Sequence, residues 1–286
     1  MPMPISVTAV AAQYEIRYLD IEQNLRNAIS HIESAAEQGA DLVVLPELAN
    51  IGYPRSTNER ERQEYFDATF ASAKAFTDEL TNAAVKGGTT VVAGLACPSS
   101  TSSMLDNISA AFLPSGKVTN GSKTHLPIVE GHYFSKGSDL TLVDSPAGRL
   151  GLLICADASY PETARVLALR GADIICVSYM APAFPNPELY SSLAVTRAFE
   201  NQCYVVASHA CGQQAGLELT PATTIAGPDG SVLARARSGQ DLVMARLDRT
   251  SISESRVKIP RFESRRPRLY RDLFQAVASA DSYLAQ

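Results

Sequence analysis

Residues 149–165 contain the pattern that most restricts how this chain can fold. An apolar run ends in Cys155, a short turn of small and polar residues follows, and a helix starts at Pro161 and Glu162. A strand that turns directly into a helix displays the side chain at the turn, at the C-terminal edge of its sheet. Backbone N–H groups and the positive end of a helix would favour thiolate over thiol there. The pattern also fits a small buried cysteine, because free cysteines are among the most buried residues.

Strand and helix patterns alternate along much of the chain. Residues 5–13 are mostly apolar and predict a buried strand, and a helix capped by Asp20 follows and ends at Gly39. The apolar run of residues 41–47 predicts a strand covered on both faces, and residues 63–85 predict a second helix. Three hairpins are predicted by apolar runs that are joined by turn sequences at residues 114–117, 145–148 and 228–231. This order predicts a single α/β domain with mixed sheets covered by helices.

Charge and cysteine content exclude several classes of partner and compartment. The formal net charge is −5, which gives no reason to expect nucleic acid or an acidic membrane as a partner. The number of cysteines, five, is odd, and no two of them have CxxC spacing. The first residues do not resemble a secretory leader. We therefore expect a cytoplasmic protein with reduced thiols. No apolar run is long enough to span a bilayer.

The tail of residues 256–271 combines many basic residues with Pro260, Phe262, Pro267 and Tyr270. A basic tail can bind nucleic acid, but this one contains apolar anchors and belongs to an acidic protein. It therefore predicts a C-terminal arm, over about residues 256–286, that packs on a neighbouring subunit.

Three predicted strands end in a residue whose side chain could take part in a reaction. Glu47 follows one apolar run, Lys123 ends the second strand of a hairpin, and Cys155 ends the run described above. Ligands of α/β proteins bind at the C-terminal ends of strands. Taken singly, Glu47 and Lys123 are more simply interpreted as solvated surface residues, since most charged side chains are.

Together the three segments resemble the signatures of the nitrilase superfamily of carbon–nitrogen hydrolases, amidase and carbamoylase branch. The matching motifs are Leu45-Pro-Glu-Leu48, Lys123-Thr-His-Leu-Pro127, and Leu153-Ile-Cys-Ala-Asp157 with Tyr160-Pro-Glu162. The order of the three motifs and their strand contexts carry the resemblance, which extends over most of the chain. It implies a four-layer αββα sandwich with pseudo-twofold halves, which assembles as a homodimer or a larger homo-oligomer.

The resemblance implies that Glu47, Lys123 and Cys155 form a catalytic triad and that Glu130 is a second glutamate near the site. The expected mechanism is attack of the Cys155 sulfur on a small amide or N-carbamoyl compound, with Lys123 and the backbone N–H of Ala156 holding the oxyanion. The cysteine thioester would then be hydrolysed, and no metal or cofactor is required. Aromatic pocket walls are expected from Tyr53, Tyr133, Tyr179 and Phe184, each of which also fits ordinary packing.

Alternative functions stay open at this point. Nitrile-hydrolysing members of the superfamily usually have Trp-Glu after the cysteine, whereas this chain has Ala156-Asp157, which keeps the Asp of amidases but lacks their aromatic residue. A nitrilase is therefore the alternative enzyme. His125 lies close to Lys123 in sequence and is an alternative base, as in Cys–His proteases. A ligand-binding or scaffold protein on the same fold would usually have lost a triad residue, and all three are present.

Overall fold

The structure is a computed structural model that describes residues 3–54, 56–183, 186, 188–214, 216–237 and 239–274. The strands in chain order are β1 (Ser6–Glu15), β2 (Leu42–Val44), β3 (Thr90–Pro98), β4 (Leu105–Phe112), β5 (Val118–Ser122), β6 (Leu142–Ser145), β7 (Gly148–Ile154), β8 (Ile174–Tyr179), β9 (Tyr204–Cys211), β10 (Gln213–Gln214), β11 (Leu217–Glu218), β12 (Thr224–Ala226), β13 (Val232–Arg235) and β14 (Asp241–Asp248). The helices are α1 (Ile21–Glu37), α2 (Glu59–Gly87), α3 (Pro161–Leu169), α4 (Leu189–Asn201) and α5 (Arg249–Lys258).

Twelve of these strands form two mixed sheets, and β10 and β11 form a separate antiparallel pair. In the first sheet β1, β2 and β3 are parallel, β4 and β5 continue it antiparallel at one edge, and β14 pairs antiparallel with β1. In the second sheet β7, β8 and β9 are parallel, with β6 antiparallel at one edge and β12 and β13 at the other. Two residue pairs, Tyr14 with Ala210 and Glu15 with Cys211, join β1 to β9 and so connect the sheets at one corner.

Three apolar layers separate the two sheets and the helices. Side chains of β1 alternate between two of these layers, with Val7 and Ala9 facing the second sheet and Val10 and Ala12 facing the α1 and α2 layer. The period-two geometry of a strand explains this, because both faces of β1 are covered and both must be apolar. A third layer lies between the second sheet and α3 and α4. The predicted four-layer αββα sandwich with two mixed sheets is confirmed.

Helix ends show where local sequence decided the structure. The predicted cap is present on α1, where the Asp20 carboxylate accepts a hydrogen bond from the Gln23 N–H at 3.2 Å. The predicted start of α2, at residue 63, was wrong. Asn58 caps this helix by accepting from the Arg60 and Glu61 N–H groups, so α2 begins at Glu59. The acidic and basic residues of this first turn show no apolar period, and the cap alone marks the boundary.

The C-terminal arm follows a helix that its sequence did not predict. Within α5 only Ile252 is buried, so the apolar spacing that usually marks a helix is absent. After it, Phe262 lies between the guanidinium groups of Arg165 and Arg256, at 5.6 and 5.1 Å from its ring centre. Arg261 stacks on Phe199 of α4 at 3.9 Å. The arm therefore packs against α3 and α4 of its own chain, and its contact with a neighbouring subunit stays a prediction.

Within the described ranges, none of the helices combines the length and apolar character needed to cross a membrane.

Candidate active site

Glu47 lies where the chain leaves β2, fully buried between the two sheets. Its position depends on Gly94 of β3, since a Cβ atom at residue 94 would lie 2.5 Å from the Glu47 Cα atom. The Glu47 Oε1 atom accepts hydrogen bonds from Lys123 Nζ at 2.7 Å and from Asn107 Nδ2 at 2.8 Å. Its Oε2 atom accepts from the Met180 N–H at 3.0 Å. The carboxylate is thus held at both oxygens by neighbours from both sheets.

Lys123 follows the end of β5 and is fully buried, with its ammonium group between two carboxylates. Nζ lies 2.7 Å from Glu47 Oε1 and 2.7 Å from each carboxylate oxygen of Glu130. Burial by itself would lower the pKa of Lys123, but the charges of Glu47 and Glu130 outweigh it and raise that pKa well above its usual value. The lysine therefore stays charged.

Glu130 begins a short 3₁₀ turn, Glu130–His132, in the segment between β5 and β6. Besides Lys123, it accepts hydrogen bonds from the Tyr53 hydroxyl at 3.2 Å and from Asn107 Nδ2 at 3.4 Å. Burial raises the pKa of Glu130 to about 7, and the charge of Glu47 adds to this, although Lys123 opposes both. The structure places this second glutamate in direct contact with the lysine.

Cys155 stands at the turn after β7, as the strand-to-helix pattern predicted. Its backbone has φ +42°, in the left-handed region that non-glycine residues rarely occupy, and a 3₁₀ turn, Cys155–Ser159, leads into α3. Residue 155 is half-buried overall, and its thiol is hydrogen-bonded to the Glu47 side chain. Such strained positions persist only where the surrounding structure holds them.

The expectation that this turn favours thiolate over thiol was wrong. Burial and the negative charge of Glu47 raise the pKa of Cys155 well above its usual value, and the charge of Lys123 reverses this only in part. Two carboxylates and one ammonium already surround the sulfur, so ionising the thiol would add a second uncompensated negative charge. The surroundings therefore favour the neutral thiol over the thiolate.

Two contacts of the site were not anticipated from the sequence. The Asn107 side-chain amide donates to both glutamates, and the Asn107 backbone carbonyl accepts a hydrogen bond from the backbone N–H of Lys123 at 2.8 Å. The hairpin register, in which Ile108 pairs with Ser122, places residue 107 beside residue 123, and this was the available signal. The Met180 N–H bond to Glu47 comes from the other sheet and had no local signal.

The predicted pocket walls lie in different surroundings. Tyr53 is bound to Glu130, and Tyr179 is buried, with its ring stacked on His209 at 4.3 Å. Tyr133 is also buried, but its ring packs among Tyr65, Phe66 and Phe134, and its hydroxyl donates to the Ser56 carbonyl. Phe184 lies outside the described residues.

Tyr190 of α4 is an aromatic residue near the site that sequence analysis missed. Its ring centre lies 5.4 Å from that of Tyr179, and burial is the largest cause of the raised pKa of its hydroxyl. Ala156, the second residue of the 3₁₀ turn, is partly exposed beside Cys155. The first N–H groups of a helical turn have no partner within the turn, which leaves the Ala156 N–H available to a ligand.

His125 is held by a different set of residues. Its Nδ1 atom lies 2.9 Å from Asp157 Oδ1 and 2.9 Å from the Thr124 hydroxyl, and its ring stacks on Tyr160 with centres 3.8 Å apart. These described contacts involve none of Glu47, Lys123 and Cys155. In the described part of the chain, no group of three or more His, Cys, Asp or Glu side chains is arranged to hold a metal ion.

The chain is similar to several known proteins. The family model described as carbon-nitrogen hydrolase matches residues 8–257. The 2-oxoglutaramate amidase of Bacillus subtilis is 30% identical over 92% of this chain and 99% of its own length. A nitrilase of Pyrococcus abyssi is 30% identical over 88% of this chain and 93% of its own length.

The fold is shared with solved structures. A double mutant of the amidase from Nesterenkonia sp. AN1, crystallised in complex with acrylamide, superposes with a TM-score of 0.82 and 23% identity. The match covers 96% of this chain and 99% of that one. At this identity the likeness supports the architecture of the sandwich.

Proposed function

From the premise that this chain belongs to the carbon–nitrogen hydrolase family, the nitrilase superfamily, we propose that it hydrolyses a small linear amide or N-carbamoyl compound through a cysteine thioester. The observation that carries the proposal is the buried contact of Lys123 Nζ with Glu47 and Glu130, beside a Cys155 thiol hydrogen-bonded to Glu47. This contact assembles a nucleophile, a base and a fixed positive charge at one point.

The first step is attack by sulfur on the substrate carbonyl carbon. Because the thiol is neutral at rest, Glu47 accepts its proton as the S–C bond forms, which is general-base activation of a nucleophile. The carbonyl oxygen gains the negative charge of the tetrahedral intermediate. Lys123 and the Ala156 N–H stabilise that charge, and one such donor contributes about 3 kcal/mol in comparable sites.

The next steps release ammonia or an amine and then the acid formed by hydrolysis of the thioester. Glu47 returns the proton to the leaving nitrogen, the C–N bond breaks, and ammonia or an amine departs from the thioester. Water then attacks the thioester carbon and gives a proton to Glu47, the C–S bond breaks, and the thiol regains that proton. The carboxylate serves both half-reactions, which explains why both of its oxygens are fixed by hydrogen bonds.

Glu130 acts through Lys123 in this scheme. Its two oxygens face the ammonium group and offset part of the cost of burying it. With Asn107 it also fixes the direction in which the lysine points. Tyr53 donates to Glu130 and thereby links this cluster to the loop at residues 48–54, where we place one wall of the substrate pocket.

The choice of amides is supported by the relative named 2-oxoglutaramate amidase and by the acrylamide bound to the Nesterenkonia amidase. The Asp at residue 157, where nitrile-hydrolysing members usually have Glu, points the same way. A nitrilase is the second candidate, because the Pyrococcus relative carries that name. The homo-oligomeric assembly and the cytoplasmic location also stay proposals, and light scattering of the purified chain would measure the first.

Ammonia release from a panel of small amides, N-carbamoyl compounds and nitriles tests the proposal, with Cys155→Ala run beside the wild type. We expect turnover of amides or carbamoyl compounds by the wild type and none by the variant. Ammonia from nitriles alone would favour the nitrilase. Absence of turnover from the whole panel would favour a ligand-binding protein on this fold.

A further inference from the structure

The carboxylate of Asp157 connects the cysteine turn to the lysine segment. This side chain is 3% exposed and lies two residues after Cys155. Its Oδ1 atom is approached by four donors from the two residues that follow Lys123: the Thr124 N–H at 3.1 Å, the Thr124 hydroxyl at 2.7 Å, the His125 N–H at 2.9 Å and His125 Nδ1 at 2.9 Å.

The other oxygen points back to the turn itself. Asp157 Oδ2 accepts from the N–H of Ile154, the residue before Cys155, at 3.4 Å, and also from the Thr124 N–H at 3.4 Å. One carboxylate therefore bridges the residue before the nucleophile and the residue after the lysine. These two segments lie 30 residues apart in the chain and come from different sheets.

The arrangement requires a charged carboxylate. The groups that face the two carboxylate oxygens are donors, and an ionised carboxylate only accepts, with about four lone-pair sites on its two oxygens. A protonated acid or an amide would bring its own donor into a group of donors. His125 completes the network, because with Nδ1–H donating, its ring is fixed against Tyr160.

We propose that Asp157 is a positioning residue that sets the separation between the Cys155 sulfur and the Lys123 ammonium group. The inference rests on the proposed function, in which both groups act on one carbonyl. It explains how Cys155 is kept at φ +42° while Lys123 stays fully buried nearby. It also assigns His125 to the support of Asp157 rather than to proton transfer from the thiol.

The test compares Asp157→Asn, Asp157→Glu and a matched control, Asp173→Asn. The Asp173 Oδ2 atom accepts the same kind of hydrogen bond from the Arg149 N–H, at 3.1 Å, at the opposite end of β7. Since a misplacement of about 1 Å costs on the order of 10²-fold, we expect Asp157→Asn to lower kcat about 10- to 100-fold with KM within about threefold. Asp157→Glu keeps the charge and should recover part of that loss, and Asp173→Asn should stay within about threefold of wild type.

A second readout needs no substrate. Alkylation of Cys155 by iodoacetamide, followed by mass spectrometry of its peptide, reports thiol ionisation, and Cys155→Ala identifies the signal. If Asp157 holds Lys123 beside the sulfur, Asp157→Asn removes a stabilising cation and alkylation slows at fixed pH. If Asp157 were only a nearby negative charge, its removal would make alkylation faster.

Unchanged or faster alkylation in Asp157→Asn, with a folded protein, would overturn the proposal, as would equal kcat values for Asp157→Asn and wild type. Should Asp157→Asn fail to fold, Thr124→Val, which removes one donor to Oδ1, and Asp157→Glu supply the same comparison with smaller changes. If the wild type turns over no amide or nitrile, the proposed function fails, while the alkylation experiment still decides the role of Asp157.

Discussion

The two halves of the sandwich contribute unequal parts of the site. The first sheet and its loops supply three charged groups, Glu47, Lys123 and Glu130, together with the Asn107 amide that contacts both glutamates. The second sheet supplies Cys155, on a strained turn, together with the Met180 N–H. The first half is a buried cluster of charges, and the second half carries the thiol that we propose forms and breaks bonds.

This difference shows that the site exists only when the two sheets pack. Cys155, the proposed nucleophile, lies on the second sheet, whereas Glu47 and Lys123, its proposed base and oxyanion donor, come from the first. Inter-sheet packing is therefore part of the chemistry, and changes on the two sides should have different consequences. Changes in the first half should affect stability and activity together, and changes at the cysteine should affect activity alone.

Cys155→Ala should give the largest difference between the loss of activity and the loss of stability. We expect kcat for ammonia release to fall by about 10⁴-fold or more, with the unfolding midpoint almost unchanged, because residue 155 is only half-buried and the change removes a single atom. The matched control is Cys176→Ala, in the apolar layer between the sheets, which should cost about 1 kcal/mol of stability and leave turnover intact. Persisting turnover in Cys155→Ala would contradict the assignment of the nucleophile.

Lys123→Met should damage both properties. It removes an oxyanion donor, worth about 10²- to 10³-fold in kcat, and leaves Glu47 and Glu130 buried without their cation. We expect the free energy of unfolding, measured in urea, to fall by about 3–5 kcal/mol. Adding Glu130→Gln should restore part of the stability and none of the activity. A stable and inactive Lys123→Met variant would show that the cluster does not depend on its charge balance.

Gly94→Ala tests the first sheet without touching a charged group. The new Cβ atom would lie 2.5 Å from the Glu47 Cα atom, so the strand and the glutamate must separate. We expect kcat/KM to fall about 10²-fold and stability to fall by about 1–3 kcal/mol. Gly131→Ala is the control, since a Cβ there meets no atom within 4 Å although it adjoins Glu130. Equal activities of the two variants would argue against this close approach.

Glu130→Gln should have the smallest effect on activity, and should mainly change how the free energy of unfolding depends on pH. The pKa of Glu130 rises from 4.5 to about 7 on folding, so the folded chain binds more protons than the unfolded chain between these values. Stability from this group is fully present below about pH 4.5 and is lost as the pH rises through 7, by about 3 kcal/mol. Urea unfolding across pH 4.5–8 should show this loss in wild type and a flatter profile in Glu130→Gln. Parallel profiles would refute the assignment.

Strand ends were the part of the site that sequence could predict. Glu47, Lys123 and Cys155 each follow a run whose apolar character or turn marks a strand, and parallel strands place their ends at one edge. Glu130 was implied by family resemblance alone, because a loop has no period. The Asn107 bridge was accessible only through the hairpin register. Helix α5 was missed, since its single buried residue gives no apolar spacing.

Contacts between segments that are far apart in the chain could not be predicted from local sequence patterns. The Met180 N–H reaches Glu47 across 133 residues, and Asp157 joins two motifs that sequence analysis treated separately. The ionisation of Cys155 was predicted in the wrong direction for the same reason. A turn considered alone offers N–H groups and a helix end, whereas the folded protein places Glu47 beside the sulfur.

The sequence by itself determined the layered α/β architecture, because strand and helix periods depend on neighbours a few residues apart. It also determined which residue types stand at the ends of three strands. Only the tertiary structure decided that two carboxylates share one lysine, that the thiol rests in its neutral form, and that Asp157 connects the nucleophile to its cation. Electrostatic interactions depend on distance through space and on burial, and both are set by how the two sheets meet.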